Sequence, residues 1–384
     1  MGFWGYKRPD GSCGIRNHVV VMSSVSCANG VVEAIGREVP GVKTIVHTEG
    51  CGRGIEDVAI SSRTLAGLGR NPNVAALLVV GLGCEWIKAD DLARQVKESG
   101  KPVEHLIIQE AGGTVKATAS GVAIVRRMLA DAQAVEREEC PWSGLTMGLE
   151  CGGSDALSGI TANPLVGFAA DWLVQQGGRV ILSETTEMIG TQHILARRAV
   201  SPEIAERITN LVNGQKKKTE DLLGDLASLV ISPGNMDGGL SSIAEKSMGC
   251  IIKGGTTPLN EVVDYGAAPA QKGLVIMDTP GSDIFSLTGM AAGGASLFLF
   301  TTGRGSPAGF PIAPVIKIAT NTGMFERMKD NMDLNAGRLL EGATMESLGE
   351  ELKALIKSVA EGEETKAEIH RQDCLAIYTV GPPF

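Results

Sequence analysis

Short apolar runs, rich in β-branched residues, recur along the chain, and each stops at a polar or glycine-rich segment. Val19–Met22 runs into SSVSC, Thr44–Val46 into HTEGCGRG, Leu77–Val80 into GLGCE and Leu106–Ile108 into QEAGGT. Leu145–Met147 leads into GLECGGSDALSGITANP, Val180–Leu182 into SETTEM and Leu274–Met277 into DTPGSD. Leu297–Phe300 leads into TTGRGSPAG and Val315–Ile318 into ATNTG. Unbroken apolar runs of this length predict strands buried on both faces, as in parallel sheets. Helical periodicity between them predicts helices at Val31–Val39, Asp91–Ser99, Val122–Glu139, Pro164–Gln176, Ile189–Val200, Pro202–Leu226 and Ser347–Ala360. Alternating strand and helix predicts an α/β fold with right-handed crossovers. In such sheets ligands bind beyond the carboxyl ends of the strands, so the polar segments are expected to gather on one edge. Glycines there let backbone amides and helix N-termini approach a small anion.

With 384 residues the chain can form one large or two ordinary domains. A charged stretch with Pro141, EREECPWSG, suggests an N-terminal α/β domain over 1–140 and a second domain over 141–384. The net charge of -9 argues against nucleic-acid binding. No apolar stretch approaches the roughly 20 residues of a membrane span, and the N-terminal residues do not resemble a signal peptide. A cytoplasmic location is therefore expected. None of the eight cysteines forms a C-x-x-C pair, which argues against a zinc ribbon.

Nucleotide signatures are absent from the glycine-rich turns. Cys51, Cys84 and Cys151 each follow a predicted strand, and three thiolates at one edge could hold a metal or an iron–sulfur cluster. Cys13, Cys140, Cys250 and Cys374 read as inert core thiols. His47, beside Cys51, is a candidate ligand or base. Glu85, Asp155, Glu184, Glu187, Asp278 and Asp283 also fall in these turns; so many carboxylates on one edge call for a cation. Lys246 and Lys317 are candidate balancing charges or bases, and Arg304 is a candidate fork for a carboxylate.

GLECGGSDALSGITANP, SPGNMDGG, EKSMGC, TTGRGSP and PVIKIATNT, together with GYKRPDGSCGIRN, GCG and GLGCE, resemble the altronate/galactarate dehydratase family, in order from Gly5 to the C-terminus. The resemblance implies a Rossmann-like catalytic domain with a mostly parallel sheet, preceded by a smaller α/β dimerisation domain. It implies a metal-dependent hydro-lyase that converts a sugar acid to a 2-keto-3-deoxy acid by β-elimination. The implied cofactor is iron, as Fe2+ or an iron–sulfur cluster, with Mn2+ or Mg2+ as alternatives. Metal ligands are then expected among Cys51, Cys84, Cys151, His47, Glu85, Glu184 and Glu187. Substrate contacts are expected from Gly152, Gly153, Ser154, Asp155, Asn163, Asn235 and Arg304, with catalysis by His47, Lys246 and Arg304. Full-length family members carry an N-terminal SAF domain, so the chain resembles a large subunit that pairs with a small SAF-domain subunit and with a second copy of itself. Glu49, Met236 and Ala308 stand where sugar-acid dehydratases carry an aromatic, a lysine and a tyrosine. The alternatives are a sulfolactate sulfo-lyase large subunit, which lacks the cysteines at 51 and 84, or another 2-hydroxy-acid lyase, or a non-catalytic sugar-acid binding subunit.

Overall fold

The computed structural model describes residues 2–224 and 231–384. Strands β1 (Phe3–Lys7) and β2 (Cys13–Gly14) open the chain. They precede β3 (His18–Ser23), β4 (Lys43–Ile45), β5 (Val74–Gly81), β6 (Val103–Ile107) and β7 (Glu138–Cys140). A four-stranded sheet, ordered β4-β3-β5-β6, is parallel throughout. A small antiparallel sheet, β2-β1-β7, joins the chain's start to residues 138–140. Its Phe3, Cys13 and Cys140 pack into the core of the larger, C-terminal sheet. The N-terminal strand is thereby tied to the second half of the molecule.

That second half is built on β8 (Thr146–Cys151), β9 (Arg179–Leu182), β10 (Leu259–Val263), β11 (Gly273–Met277), β12 (Leu297–Thr302), β13 (Val315–Ala319) and β14 (Leu334–Asn335). They form one seven-stranded parallel sheet in the order β10-β11-β9-β8-β12-β13-β14. β8, β11, β12 and β13 are buried along their whole length, which is why they read as continuous apolar runs. Flanking helices are fixed by local chemistry. Ser201 caps Pro202–Leu223, with proline at its first position, and Thr344 caps Met345–Ala360. Leu226, the predicted end of the first of these, lies outside the described residues.

Three sequence expectations change. The polar turns do not gather on one edge: those with His47, Cys51 and Cys84 follow strands of the small parallel sheet, and the later ones follow the large sheet. The two sheets share no strand pairing, so these turns belong to the edges of two different sheets. β8 continues to Cys151 through the glycine predicted to start a turn. Gly148 is there for packing, since a Cβ on it would lie 2.5 Å from Phe298 Cδ1. The helix expected over Ile189–Val200 shrinks to Gln192–Ala196. An unpredicted helix, Ile55–Arg70, crosses the helix Asp283–Ala292 of the larger half. Gly67 permits that crossing, because a Cβ would come within 2.3 Å of the Ala292 carbonyl oxygen.

Candidate functional site

In the large sheet the chain leaves β8 for β9 on one side and later returns as β12 on the other. This is the switch point, where loops diverge and leave a crevice beyond the strands' carboxyl ends. Cys151 ends β8 there, in register with Thr301 of β12. The turn after β9 brings in Glu184 and Glu187, and the helix Ile243–Cys250 brings in Lys246 and Cys250. Glu187 Oε2 accepts from Cys151 Sγ at 2.7 Å and from Cys250 Sγ at 2.8 Å, and the two sulfurs lie 3.3 Å apart. Its other oxygen pairs with Lys246. Behind this group, Lys253 Nζ meets Glu184 Oε2 at 2.6 Å, and the same oxygen accepts the Cys151 N–H at 3.0 Å. Glu184 adopts a left-handed backbone, φ 68°, which is unusual for a residue with a side chain. Strain of this kind clusters at functional sites.

All of these groups except Lys246 are fully buried, so the charges must balance within the group. Burial would raise Glu187, but Lys246, Lys253 and the two thiol hydrogen bonds overcome it and hold the carboxyl below its usual range. Burial would lower Lys246, but Glu187 and the two sulfurs raise it, so it remains an ammonium. Lys253 is likewise raised, the surrounding sulfurs and carboxyls outweighing burial. Burial, with Cys250 adjoining, pushes the Cys151 thiol well up. Above them opens a cavity of about 670 Å³, lined also by Ser232, Asn235, Asp283 and Ser306.

Cys151, Glu187 and Cys250 offer donor atoms within 4.8 Å of one another and could hold a metal ion. Two thiols and one carboxylate suit a borderline-soft ion better than Mg2+ or Mn2+, which favour oxygen. Cys51 and Cys84 do not join this group among the described residues. Both are exposed, on neighbouring turns where Gly50 accepts from the Trp86 N–H. His47 has neither ring nitrogen free: Nε2 pairs with the Ser23 carbonyl at 2.8 Å and Nδ1 accepts the Glu49 N–H at 3.1 Å. Glu85 closes its own turn, accepting from Gly83 N–H at 2.6 Å and from Ser24 Oγ.

Among the expected substrate contacts, the Gly152 N–H is already donated to the Thr301 carbonyl. Gly153, φ 61°, lines the cavity. Arg304 lies against Gly153 with its side chain largely exposed and a loose 3.9 Å pairing to Asp237. Asp155 accepts from Ser158, Thr320 and Asn321, and Asn163 bridges Thr301 and the Gly249 carbonyl, so both brace the loop. Asn235 caps its own turn and donates to the Ser154 carbonyl, while the Ser154 hydroxyl is buried without a partner. Sequence reasoning missed Cys250 and Lys253. Their one signal was the unusual run EKSMGCIIK, which spaces Lys246, Cys250 and Lys253 one helical turn apart.

A buried acid–thiol group flanked by ammonium ions at the switch point of a doubly wound sheet places this chain among α/β enzymes that work at the carboxyl edge. Comparison with known proteins identifies the family. The D-galactarate/altronate dehydratase C-terminal domain matches residues 142–382, and the second domain of D-galactarate dehydratase/altronate hydrolase matches 5–133. The chain belongs to this family and is a lyase. It is 36% identical to an altronate dehydratase of Bacillus subtilis over 99% of this chain and 78% of that protein. It is 36% identical to the L-threo-forming galactarate dehydratase of Escherichia coli, over 99% and 77%. A (2R)-sulfolactate sulfo-lyase subunit beta of Chromohalobacter salexigens is 33% identical over 96% of both chains. Among the described residues no helix is long and apolar enough to cross a membrane.

Proposed function

We propose that the protein dehydrates a sugar acid of the altronate or galactarate type to a 2-keto-3-deoxy acid. The observation that carries this reading is the Cys151–Glu187–Cys250 group with Lys246 at the floor of the cavity. Iron is the metal we assign, held by those three residues as a single ion; when bound there it supplies Lewis acidity toward the substrate's carboxylate. Lys246, kept as an ammonium and facing the cavity, donates a proton to the departing β-hydroxyl. Ser232 and Asn235 orient hydroxyls of the substrate, and Arg304, which lies against Gly153 of the cavity lining, meets a distal carboxylate. Lys253 and Glu184 hold the Cys151 backbone in place.

The sulfo-lyase relative supports a second reading, in which the leaving group is sulfite. Its name as a subunit, with a match over 96% of its length, also supports a small partner subunit. We further propose a homodimer of this chain. The cysteines are all unpaired, which supports a cytoplasmic, reducing location. Incubation with altronate, galactarate and sulfolactate under anaerobic, iron-replete conditions separates the readings. Formation of a keto-deoxy acid supports dehydration, sulfite release supports the second reading, and binding without turnover identifies a binding subunit.

A further inference from the structure

The cavity has two carboxylates among the described residues, Glu187 and Asp283. Glu187 is committed to two thiols and Lys246. Asp283 starts the helix Asp283–Ala292 and accepts one side-chain hydrogen bond, from Ser306 Oγ at 3.2 Å. Beneath it lies an anomaly. Lys317 sits in β13, which is buried along its whole length, and its Nζ has no hydrogen-bond partner. The ammonium nitrogen lies 3.1 Å from the centroid of the Phe300 ring. Strand register places Glu150, Phe300 and Lys317 side by side on β8, β12 and β13. The edge of the same ring adjoins Asp283: a Cβ on Gly152 would lie 2.3 Å from Asp283 Oδ2 and 2.5 Å from Phe300 Cζ. Phe300 therefore adjoins both groups, Lys317 at its face and Asp283 at its edge. A buried lysine whose Nζ makes no hydrogen bond is costly, and packing alone would be served by methionine.

We propose that Asp283 is the base that takes the proton α to the substrate carboxylate, and that Lys317 is a positioning residue which sets the charge on Asp283 across Phe300. This rests on the dehydration reading. In the step, the Cα–H bond breaks and an O–H bond forms on Asp283. The electron pair forms the enolate-like double bond as the β-C–O bond breaks, and the hydroxyl leaves as water with the Lys246 proton. The enol then ketonises by moving its own hydroxyl proton to the adjacent carbon. Asp283 returns its proton through solvent to Lys246, which restores both groups. Burial pushes Asp283 up, with Lys317 and Ser306 opposing and Glu187 adding. Burial pulls Lys317 down to about 7, with Asp283, Glu150, Asp333 and Cys374 opposing. The two groups are thus brought toward neutrality from opposite sides, as acid–base pairs require.

Asp283→Asn is expected to lower kcat about 10²–10⁴-fold while substrate affinity by calorimetry changes less than about tenfold. Lys317→Met should fold, being apolar and of similar length. It should move the acid limb of the kcat/KM profile up by about one pH unit, because Asp283 loses its cation, and Lys317→Arg should restore the limb. Retention of more than about a tenth of kcat in Asp283→Asn would overturn the base, and an unmoved acid limb in Lys317→Met would overturn the positioning role. A ¹³C titration of the Asp283 carboxyl, assigned with Asp283→Asn, reads the same shift without turnover. Wild-type protein inactive on both sugar acids would sink the substrate reading alone, and the titration would still decide the pair.

Discussion

Removing the Lys253 charge tests how the candidate site is held together. Lys253 and Glu184 are 1% and 0% exposed, and Nζ meets Oε2 at 2.6 Å. In Lys253→Met, Glu184 keeps the Cys151 N–H at 3.0 Å as its one hydrogen bond from that side, while Oε1 has no partner even in the parent. Breaking one side of a buried ion pair costs about 3–5 kcal/mol, because an uncompensated charge remains. Burial and Glu187 already push Glu184 above the usual carboxylate range against the pull of Lys253, so losing Lys253 raises it further. A raised carboxyl keeps its stability below the unfolded value, about 4.3, and loses it as pH rises through the folded one. The deficit of the variant should therefore be larger at neutral pH than in acid. Glu184→Gln in the same background removes the stranded charge and should recover half or more of the loss. Urea unfolding followed by the fluorescence of Trp142 and Trp172, which pack at 4.8 Å in the core of the large domain, measures all three proteins. A loss below about 1 kcal/mol, or a double variant no more stable than the single, would mean that the Lys253–Glu184 pair does not hold the site together.

Gly148→Ala should cost about 1–3 kcal/mol, since its methyl would press on Phe298 Cδ1 at 2.5 Å and Met290 Sδ at 3.0 Å; a neutral result in urea unfolding would mean that this strand–helix contact is slack. Gly67→Ala meets backbone at 2.3 Å, which cannot rotate away, so limited proteolysis should show the crossing of Ile55–Arg70 over Asp283–Ala292 loosened, with unchanged cleavage as the contrary result. Burial, with Lys43, Arg16 and Arg8 nearby, lowers His18 from 6.5 to about 3. The stability it contributes is full above pH 6.5 and is lost as pH falls toward 3, so His18→Gln should flatten the acid slope by up to about 1.4 kcal/mol per pH unit, and superimposable slopes would contradict this.

Strands of the large sheet were legible because burial on both faces leaves little but apolar residues, as in Leu297–Thr302. Their polar endings marked the site for the same reason: Cys151, Glu184 and Glu187 each follow a run. The helix Ile55–Arg70 was hidden by Gly67 and Gly69, whose role is close approach to a distant segment. Gly148 read as a turn because a sequence does not show the ring of Phe298 that displaces its side chain. Cys250 looked inert because its partner Cys151 is 99 positions away, and only the fold brings the two together. Cys51 and Cys84 carried the signal of a turn after a strand, yet they belong to the smaller parallel sheet, whose edge is its own. His47 is spent on the Ser23 carbonyl and the Glu49 amide, a local commitment that spacing does not reveal.

Cys151, Glu187 and Cys250 are proposed as the metal centre of a sugar-acid dehydratase. The most direct test is metal content per chain after anaerobic purification of the parent, Cys250→Ser and Cys51→Ser, each assayed for keto-deoxy acid formation. Iron and turnover are expected in the parent and in Cys51→Ser, and loss of both in Cys250→Ser. Full metal content and activity in Cys250→Ser, with loss in Cys51→Ser, would contradict it and move the centre to the exposed turns of the N-terminal sheet.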